Sequence, residues 1–132
     1  MQKKILTTNI FKNLLHSLRP NAPQNVTGVL NEEGAISLNW DVVSGAKSYV
    51  VHYSNANESD PHEATFMGYS ETNEWSLATA DVPELQAGDK IYLYVQTFNE
   101  VGVGSNDIEK AAYLNENKLG SDWSEPVILT KE

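Results

Sequence analysis

The sequence predicts an all-β fold, a sandwich of two sheets built from seven strands. The strongest indication lies in residues 34–53, where a run ISLNW at 36–40 and a run YVVHY at 49–53 flank a short turn-forming segment. Both runs place apolar side chains at every second position, which buries one face of each strand. Trp40 and Tyr49 add the bulky side chains of a small core. Further short apolar runs recur between turn signals along the chain, which is typical of a sandwich.

The strands can be assigned in order from these runs and from the turn residues between them. A first strand begins after Pro23, the two runs above form the second and third strands, and the sixth is the longest. The predicted strands are 24–30, 35–41, 48–54, 64–70, 74–79, 90–98 and 123–130. Turn-forming residues separate several of them, at 31–34, 44–45, 55–61 and 86–89.

Size and composition exclude several function classes. The chain has 132 residues and no cysteine, so it is long enough to bury a core and has no disulfide, thiolate-bound metal or cysteine nucleophile. Its three histidines are scattered, and no motif of a serine hydrolase, zinc protease or phosphate-binding loop occurs. We therefore predict no catalytic residue, no metal site and no cofactor. The acidic loop at 57–63 lacks the pattern of a calcium loop and is interpreted as a solvated turn.

Charge divides the chain into two parts. Residues 1–19 carry Lys3, Lys4, Lys12 and Arg19 and no acid, whereas residues 20–132 carry five lysines and all eighteen carboxylates. A body of this sign repels phosphate backbones, so we expect no nucleic-acid partner. A basic segment attached to an acidic body is suited to docking on a neighbouring copy.

The basic segment is predicted to be an amphipathic helical arm, residues 1–21, that precedes a domain at 22–132. Thr7, Thr8 or Asn9 can cap the helix and Pro20 ends it. No apolar run here exceeds two residues, so a signal peptide is not expected. A short helix is marginal in water, so its apolar side needs a partner, either its own sandwich or another subunit. The predicted assembly residues are the apolar Ile10, Phe11, Leu14, Leu15 and Leu18, with Lys12 on the opposite face.

Residues 22–130 resemble a fibronectin type III domain, in particular the bacterial and phage version. The resemblance is carried by a proline-led first strand, ISLNW, a GA dipeptide, Y-x-V-x-Y, Trp75-x-Leu77, the turn LQAGD at 85–89, the strand at 91–99, the Gly102/Gly104 pair and WSEPV at 123–127. It implies a seven-stranded, immunoglobulin-like sandwich and a non-enzymatic role. In this reading Trp40, Trp75 and Trp123 are structural.

The chain departs from the family pattern in two places. Where the family has the tyrosine of its tyrosine corner, this chain has Ile91, so that the hydrogen bond of this corner is expected to be missing or supplied differently. The family also runs from its Gly-x-Gly loop almost directly into the last strand, whereas residues 105–122 intervene here. Asn106-x-x-Glu109 followed by Ile108, Ala111 and Ala112 at helical spacing predicts a short inserted helix at 107–114.

Two candidate interaction surfaces follow. The inserted segment, with Ile108, Tyr113, Leu114, Lys118 and Leu119, is either an interaction surface or a lid over one open end of the sandwich. The second surface is an outward aromatic face. If Ile91, Leu93 and Val95 point inward, then Tyr92, Tyr94 and Phe98 point outward, beside Val50 and His52. Such a face binds sugars or proteins; alternatively it reflects the β-propensity of tyrosine or is covered by the N-terminal helix.

These observations favour a non-enzymatic structural or interaction module of a phage virion, in a tail or decoration role, anchored to neighbouring subunits by its arm. The expected partner is protein, including further copies of the chain, and the expected location is the virion or the bacterial cell surface. The alternative is an adhesion module that binds carbohydrate or a cell surface. A third hypothesis, attachment of the basic helix to a membrane surface, is the least favoured.

Overall fold

The computed structural model describes residues 19–132. The predicted arm residues at positions 1–18 lie outside this range, and the boundary between arm and domain stays a prediction. Seven strands, two short 3₁₀ turns and one α-helix make up the described chain. The strands are β1 (Thr27–Leu30), β2 (Ile36–Asn39), β3 (Ser48–Tyr53), β4 (Phe66–Ser70), β5 (Glu74–Leu77), β6 (Lys90–Phe98) and β7 (Val127–Thr130); the helix is α1 (Asp107–Asn117) and the 3₁₀ turns are Pro61–Glu63 and Thr79–Asp81.

The strands form two antiparallel sheets. One sheet has the order β1-β2-β5 and the other has the order β4-β3-β6-β7. Each strand lies within the range predicted for it; β6 matches its range, β2 is shorter at both ends, and the other five strands are shorter at one end. In the centre of the larger sheet, Val51 pairs with Gly68 on one side and with Val95 on the other. The predicted all-β architecture and its seven strands are confirmed.

The core lies between the two sheets. Ile36, Leu38 and Trp75 from the three-stranded sheet pack with Val51 and other apolar residues of the four-stranded sheet. The core side chains of β2 and β5 alternate with exposed ones, as the period of two requires, whereas all six residues of β3 are buried. The remaining buried members of this cluster are Trp40, Val43, Tyr49, Tyr53, Ile91, Leu93, Val95, Val127 and Leu129.

The predicted contact of Trp40 and Tyr49 is present at one end of this core. Their rings meet edge to face with centroids 5.1 Å apart, which is a favoured aromatic geometry. The hydroxyl oxygen of Tyr49 also accepts a hydrogen bond from the backbone N–H of Val43, at 3.2 Å. This bond fixes the loop between β2 and β3 to the third strand.

The corner before β6 is fixed by an asparagine. Ile91 is fully buried in the core, and Asn57, from the loop after β3, reaches across to the start of β6. The side-chain oxygen of Asn57 accepts from the N–H of Lys90 at 2.9 Å, and its amide donates to a carboxylate oxygen of Asp89 at 3.0 Å. Asn57 adopts a left-handed backbone with φ of 65°, a conformation that asparagine tolerates well. The hydrogen bonds at this corner are thus supplied by Asn57.

The last strand begins later than the sequence predicted, at Val127 instead of residue 123. Pro126 has no N–H to give to a ladder, and the segment before it bonds to β6 through serine side chains. Ser121 Oγ accepts from Thr97 N at 2.8 Å, and Ser124 Oγ accepts from Val95 N at 2.9 Å. The N–H groups of Ser121 and Ser124 also donate to the carbonyls of Thr97 and Val95, so residues 119–126 run beside β6 as an irregular segment.

Candidate interaction surfaces

The outer face of the four-stranded sheet carries the predicted aromatic face, but this face is covered. Tyr94 is 7% exposed and Phe98 is 1% exposed, and their neighbours Val50 and His52 are buried too. These side chains do leave the sheet on its outer side, as the alternation predicted. The expectation that Tyr94 and Phe98 form an exposed face is wrong, because the chain between β6 and β7 folds back over them. Tyr92 remains partly exposed, and its role in binding stays a prediction.

Helix α1 covers one half of this face. Ala111 and Leu114 are fully buried and form a cluster with Val50, Tyr69 and Phe98. The helix begins as predicted: the side chain of its N-cap Asn106 accepts from Glu109 N at 2.9 Å. It ends at Asn117, one turn beyond the predicted end. Leu114 was predicted to be available for interaction, and its complete burial shows that this prediction is wrong. The alternative prediction placed the helix as a lid over one open end of the sandwich, whereas the helix packs on the outer face of the four-stranded sheet.

Trp123 covers the other half. Its ring stacks on the imidazole of His52, with centroids 4.0 Å apart and planes inclined by 15°, and it lies 5.5 Å from the ring of Tyr94. Trp123 is thus a packing residue, as predicted, but it lies on the outer face in the irregular segment and not in a strand. Pro126 was the signal in the sequence that could have excluded Trp123 from the last strand.

His52 is held in its neutral form beneath Trp123. Burial lowers the pKa of its imidazole to about 4, because the charged ring would be cut off from water. Its Nε2 donates to Oε1 of Gln96 at 2.8 Å, and the amide nitrogen of Gln96 donates to the carbonyl of Ser121 at 3.0 Å. This chain of bonds joins β3, β6 and the segment that carries Trp123.

A shallow apolar depression borders the exposed side of Trp123. We call it the Trp123 depression; it encloses about 450 Å³ and is lined by Pro61, His62, Ala64 and Trp123. The 3₁₀ turn that forms its other wall is capped by Asp60, which accepts from His62 N at 2.9 Å. The same carboxylate pairs with the imidazole of His62, and these bonds lower the pKa of Asp60. The predicted solvated turn at 57–63 therefore forms one wall of a depression.

A second exposed apolar surface lies where β6 leads into α1. Gly102 and Gly104 lie so close to the helix that a Cβ on either would come within 2.6 Å of Lys110 or Glu109. Because alternate side chains point away from the helix, Val101 and Val103 are exposed. We call Val101, Val103 and Ile108 the loop–helix patch; their exposed fractions are 49%, 59% and 68%. Ile108 was predicted from the sequence and the two valines were not, although the alternating V-G-V-G run at 101–104 could have indicated them.

Tyr113 and Lys118, at the far end of the inserted segment, are held by local contacts. Nζ of Lys118 pairs with the carboxylate of Glu100 at 3.1 Å and lies 6.0 Å from the centroid of the Tyr113 ring. Tyr113 is partly buried, whereas Leu119 is 51% exposed. Whether Tyr113 contacts a partner stays a prediction.

The arm joins the body beside Trp123. Arg19 is fixed by two bonds: its Nε donates to the carbonyl of Gly120 at 3.2 Å, and its Nη2 donates to the carboxylate of Asp122 at 2.7 Å. The predicted assembly residues all precede it and lie outside the described residues; they are Ile10, Phe11, Lys12, Leu14, Leu15 and Leu18. Arg19, the first described residue, is thus bonded to the residue that precedes Trp123.

Two kinds of feature are absent from the described part of the chain. Residues 19–132 contain no group of three or more histidine, cysteine or acidic side chains that could hold a metal ion. Within the same residues, no helix has both the length and the apolar character needed to cross a bilayer.

Comparisons with known proteins identify the fold. Neither a search of protein-family models nor a search of curated proteins finds a match. Among solved structures, "Structure of FN3tt mut" aligns with a TM-score of 0.52 and 12% identity over 84% of this chain and 94% of its own. "Cytokine receptor complex - Crystal form 1A" aligns with a TM-score of 0.55 and 17% identity over 85% of this chain and 51% of its own. "Myokine structure" aligns with a TM-score of 0.50 and 17% identity, covering 86% of this chain and 99% of its own.

The chain has a fibronectin type III fold. The predicted immunoglobulin-like sandwich is therefore confirmed, with its inserted helix. This fold hosts many unrelated functions, so the function has to be argued from the surfaces described above. A bacterial or phage origin stays a prediction.

Proposed function

We propose that this protein is a non-enzymatic interaction module that assembles with other copies of itself, with residues 1–21 as its anchor. In this proposal the arm of one copy inserts into a neighbouring copy, and the loop–helix patch makes the lateral contact between them. The observation that carries the proposal is the loop–helix patch, which exposes three large apolar side chains outside the seven strands.

The contrast between the buried and the exposed apolar side chains of α1 supports an interaction role. Ala111 and Leu114 already close the sheet face, and both are fully buried. Ile108 lies on the same helix, is 68% exposed and is not part of that cluster. Contiguous exposed apolar groups on a soluble domain commonly mark a protein interface. We therefore assign the interface to Ile108 and the two valines, because a contact with a partner would cover these exposed side chains.

Charge supports an anchoring role for the arm. Residues 1–18 contain three lysines and no acid, whereas the remaining chain holds six basic and eighteen acidic side chains. Complementary charge speeds encounter between copies and fixes their orientation. Similar folds include a structure titled as a cytokine receptor complex, which is an example of this fold within a protein complex.

The setting that we propose is a phage virion, in a tail or decoration role, or a bacterial cell surface. This setting rests on the resemblance of residues 22–130 to the bacterial and phage version of the domain. Detection of the protein in purified phage particles by mass spectrometry tests the virion setting, and particles that lack the protein would contradict that setting.

Light scattering of the full chain over a wide range of concentration tests the assembly. We expect the mass to rise with concentration, and the rise to be reduced in Ile108→Asp and in Leu14→Asp. Val29→Asp is the matched control, since Val29 is 60% exposed on the three-stranded sheet, on the other side of the sandwich. A constant monomer mass at every concentration would contradict self-assembly.

The adhesion alternative now depends on one residue of the aromatic face. Tyr94 is covered, so Tyr92 is the tyrosine of β6 that a sugar ring can reach. A glycan-array signal that is lost in Tyr92→Ala would favour adhesion over assembly, and an array without signal would favour assembly.

A further inference from the structure

We propose that the Trp123 depression is the docking site for the arm of a second copy of this chain. This inference rests on the proposed function, to which it adds the surface that receives the arm.

The depression has the chemistry that an apolar helix requires. Its lining is mostly apolar, and Trp123 lines it together with Pro61 and Ala64. Trp123 is held in place from behind by its stack on His52, at 4.0 Å. A rigid aromatic side chain is a favoured anchor in protein interfaces because little conformational freedom is lost on binding. Leu14, Leu15, Leu18 and Phe11 of the arm are the matching apolar groups of this chain.

The charge around the depression is opposite to that of the arm. Glu58, Asp60 and Glu63 lie in the loop whose 3₁₀ turn forms one wall, and Asp122 and Glu125 lie one and two residues from Trp123 in the sequence. The arm before Arg19 has no acidic residue and carries lysines at positions 3, 4 and 12. Attraction between the two would orient a docked arm and would weaken as salt is added.

The point at which the arm joins the body favours a second copy over the same copy. Arg19 is bonded to Gly120 and Asp122, and Leu18 is joined to it directly. Leu18 directly precedes the bonded Arg19, and Pro20 stiffens the chain on the other side, so little chain is available for a turn at this point. A hinge of this kind disfavours a return onto the same body and favours exchange of the segment between copies.

Each copy then offers one arm and one depression. Such a contact is head to tail, so it closes into a ring or continues as a chain, depending on the angle between successive copies. The mass of the assembly should increase with protein concentration. Loss of either the arm or the depression should abolish this increase.

Complementation between two full-length variants tests this arrangement. The arm variant, Leu14→Asp/Leu18→Asp, keeps its depression, and the depression variant, Ala64→Arg, keeps its arm. Ala64 lies at the end of the 3₁₀ turn and is not part of the core, so that Ala64→Arg adds bulk and positive charge to the depression without a core substitution. His62→Lys is a milder second variant, because the side chain of His62 is 93% exposed. Val29→Arg is the matched control.

We expect each variant alone to remain a monomer in light scattering, and an equimolar mixture to give a species of twice the monomer mass. His62→Lys should weaken association, and Val29→Arg should associate as the unmodified chain does. Association of Ala64→Arg and His62→Lys at the unmodified level would overturn the inference and leave the proposed function standing. A monomer at every concentration would overturn both. Acrylamide quenching of Trp123 fluorescence separates the two copies. If Trp123 of the unmodified chain is shielded equally at all concentrations, its own arm covers it, and docking on a second copy is overturned.

Discussion

Truncation of Leu114 tests whether helix α1 closes the outer face of the four-stranded sheet. Leu114 is fully buried and packs with Val50, Tyr69 and Phe98. Replacement of a buried leucine by alanine removes its transfer free energy and leaves a cavity, which costs about 2–5 kcal/mol in protein cores. Since Leu114 is held between one helix and one sheet, where the helix can partly collapse, we expect Leu114→Ala to lower the free energy of unfolding by about 3 kcal/mol.

Urea unfolding followed by circular dichroism measures this change. Leu119→Ala is the matched control, because Leu119 is 51% exposed in the segment that follows the helix, and its loss should change the free energy by less than about 0.5 kcal/mol. The dependence of the free energy on urea should stay the same in both variants. If Leu114→Ala costs no more than Leu119→Ala, α1 does not seal the face, and Val50 and Phe98 would be open to a partner.

Three further predictions concern single residues. The pKa of His52 is about 4 in the folded protein and 6.5 in the unfolded chain, so the unfolded chain binds more protons between these pH values. The free energy of unfolding should therefore rise by about 3 kcal/mol from pH 4 to pH 6.5. Urea titrations at the two pH values should show a smaller rise in His52→Phe. Gly68→Ala should destabilise by more than about 1 kcal/mol, because the new Cβ would lie 2.4 Å from the indole nitrogen of Trp75; an unchanged thermal midpoint would contradict this contact. Asn57→Ala should cost about 0.5–1.5 kcal/mol by removing the side-chain bonds to Lys90 and Asp89, and an unchanged free energy of unfolding would argue against them.

The seven strands could be predicted because their signals are local. Alternation at 36–40 and 49–53 fixes which side chains share a face, and Trp40 with Tyr49 marks the core between them. The N-cap Asn106 likewise identifies the start of α1 within its own sequence. These features depend on neighbours along the chain, and the structure contains each of them.

What covers the outer face could not be predicted in the same way. Alternation correctly directed Tyr94 and Phe98 outward, but it says nothing of what lies over them. That depends on packing between residues far apart in sequence, such as Phe98 with Leu114 and His52 with Trp123. The serine bonds that hold Trp123 above β6 are long-range as well, and they have no sequence pattern of their own.

The same limit applies to the interaction surfaces. Helical spacing could not distinguish whether Ile108 or Leu114 is buried, since each lies within one turn of Ala111. Only the docking of α1 on the sheet separates them, leaving Ile108 exposed and Leu114 buried. Val101 and Val103 are exposed because two glycines lie against the helix, a contact that requires the folded loop.

Thiol reactivity tests most directly whether the sheet face is closed, since the natural chain has no cysteine. Val50→Cys places a thiol under α1, at a site that is fully buried, and Ile108→Cys places one on the exposed patch. We expect the thiol of Val50→Cys to react with a maleimide roughly a hundredfold more slowly than that of Ile108→Cys in the folded protein, and equally fast in urea. Equal rates in the folded protein would show that the outer face is open, and would contradict this account.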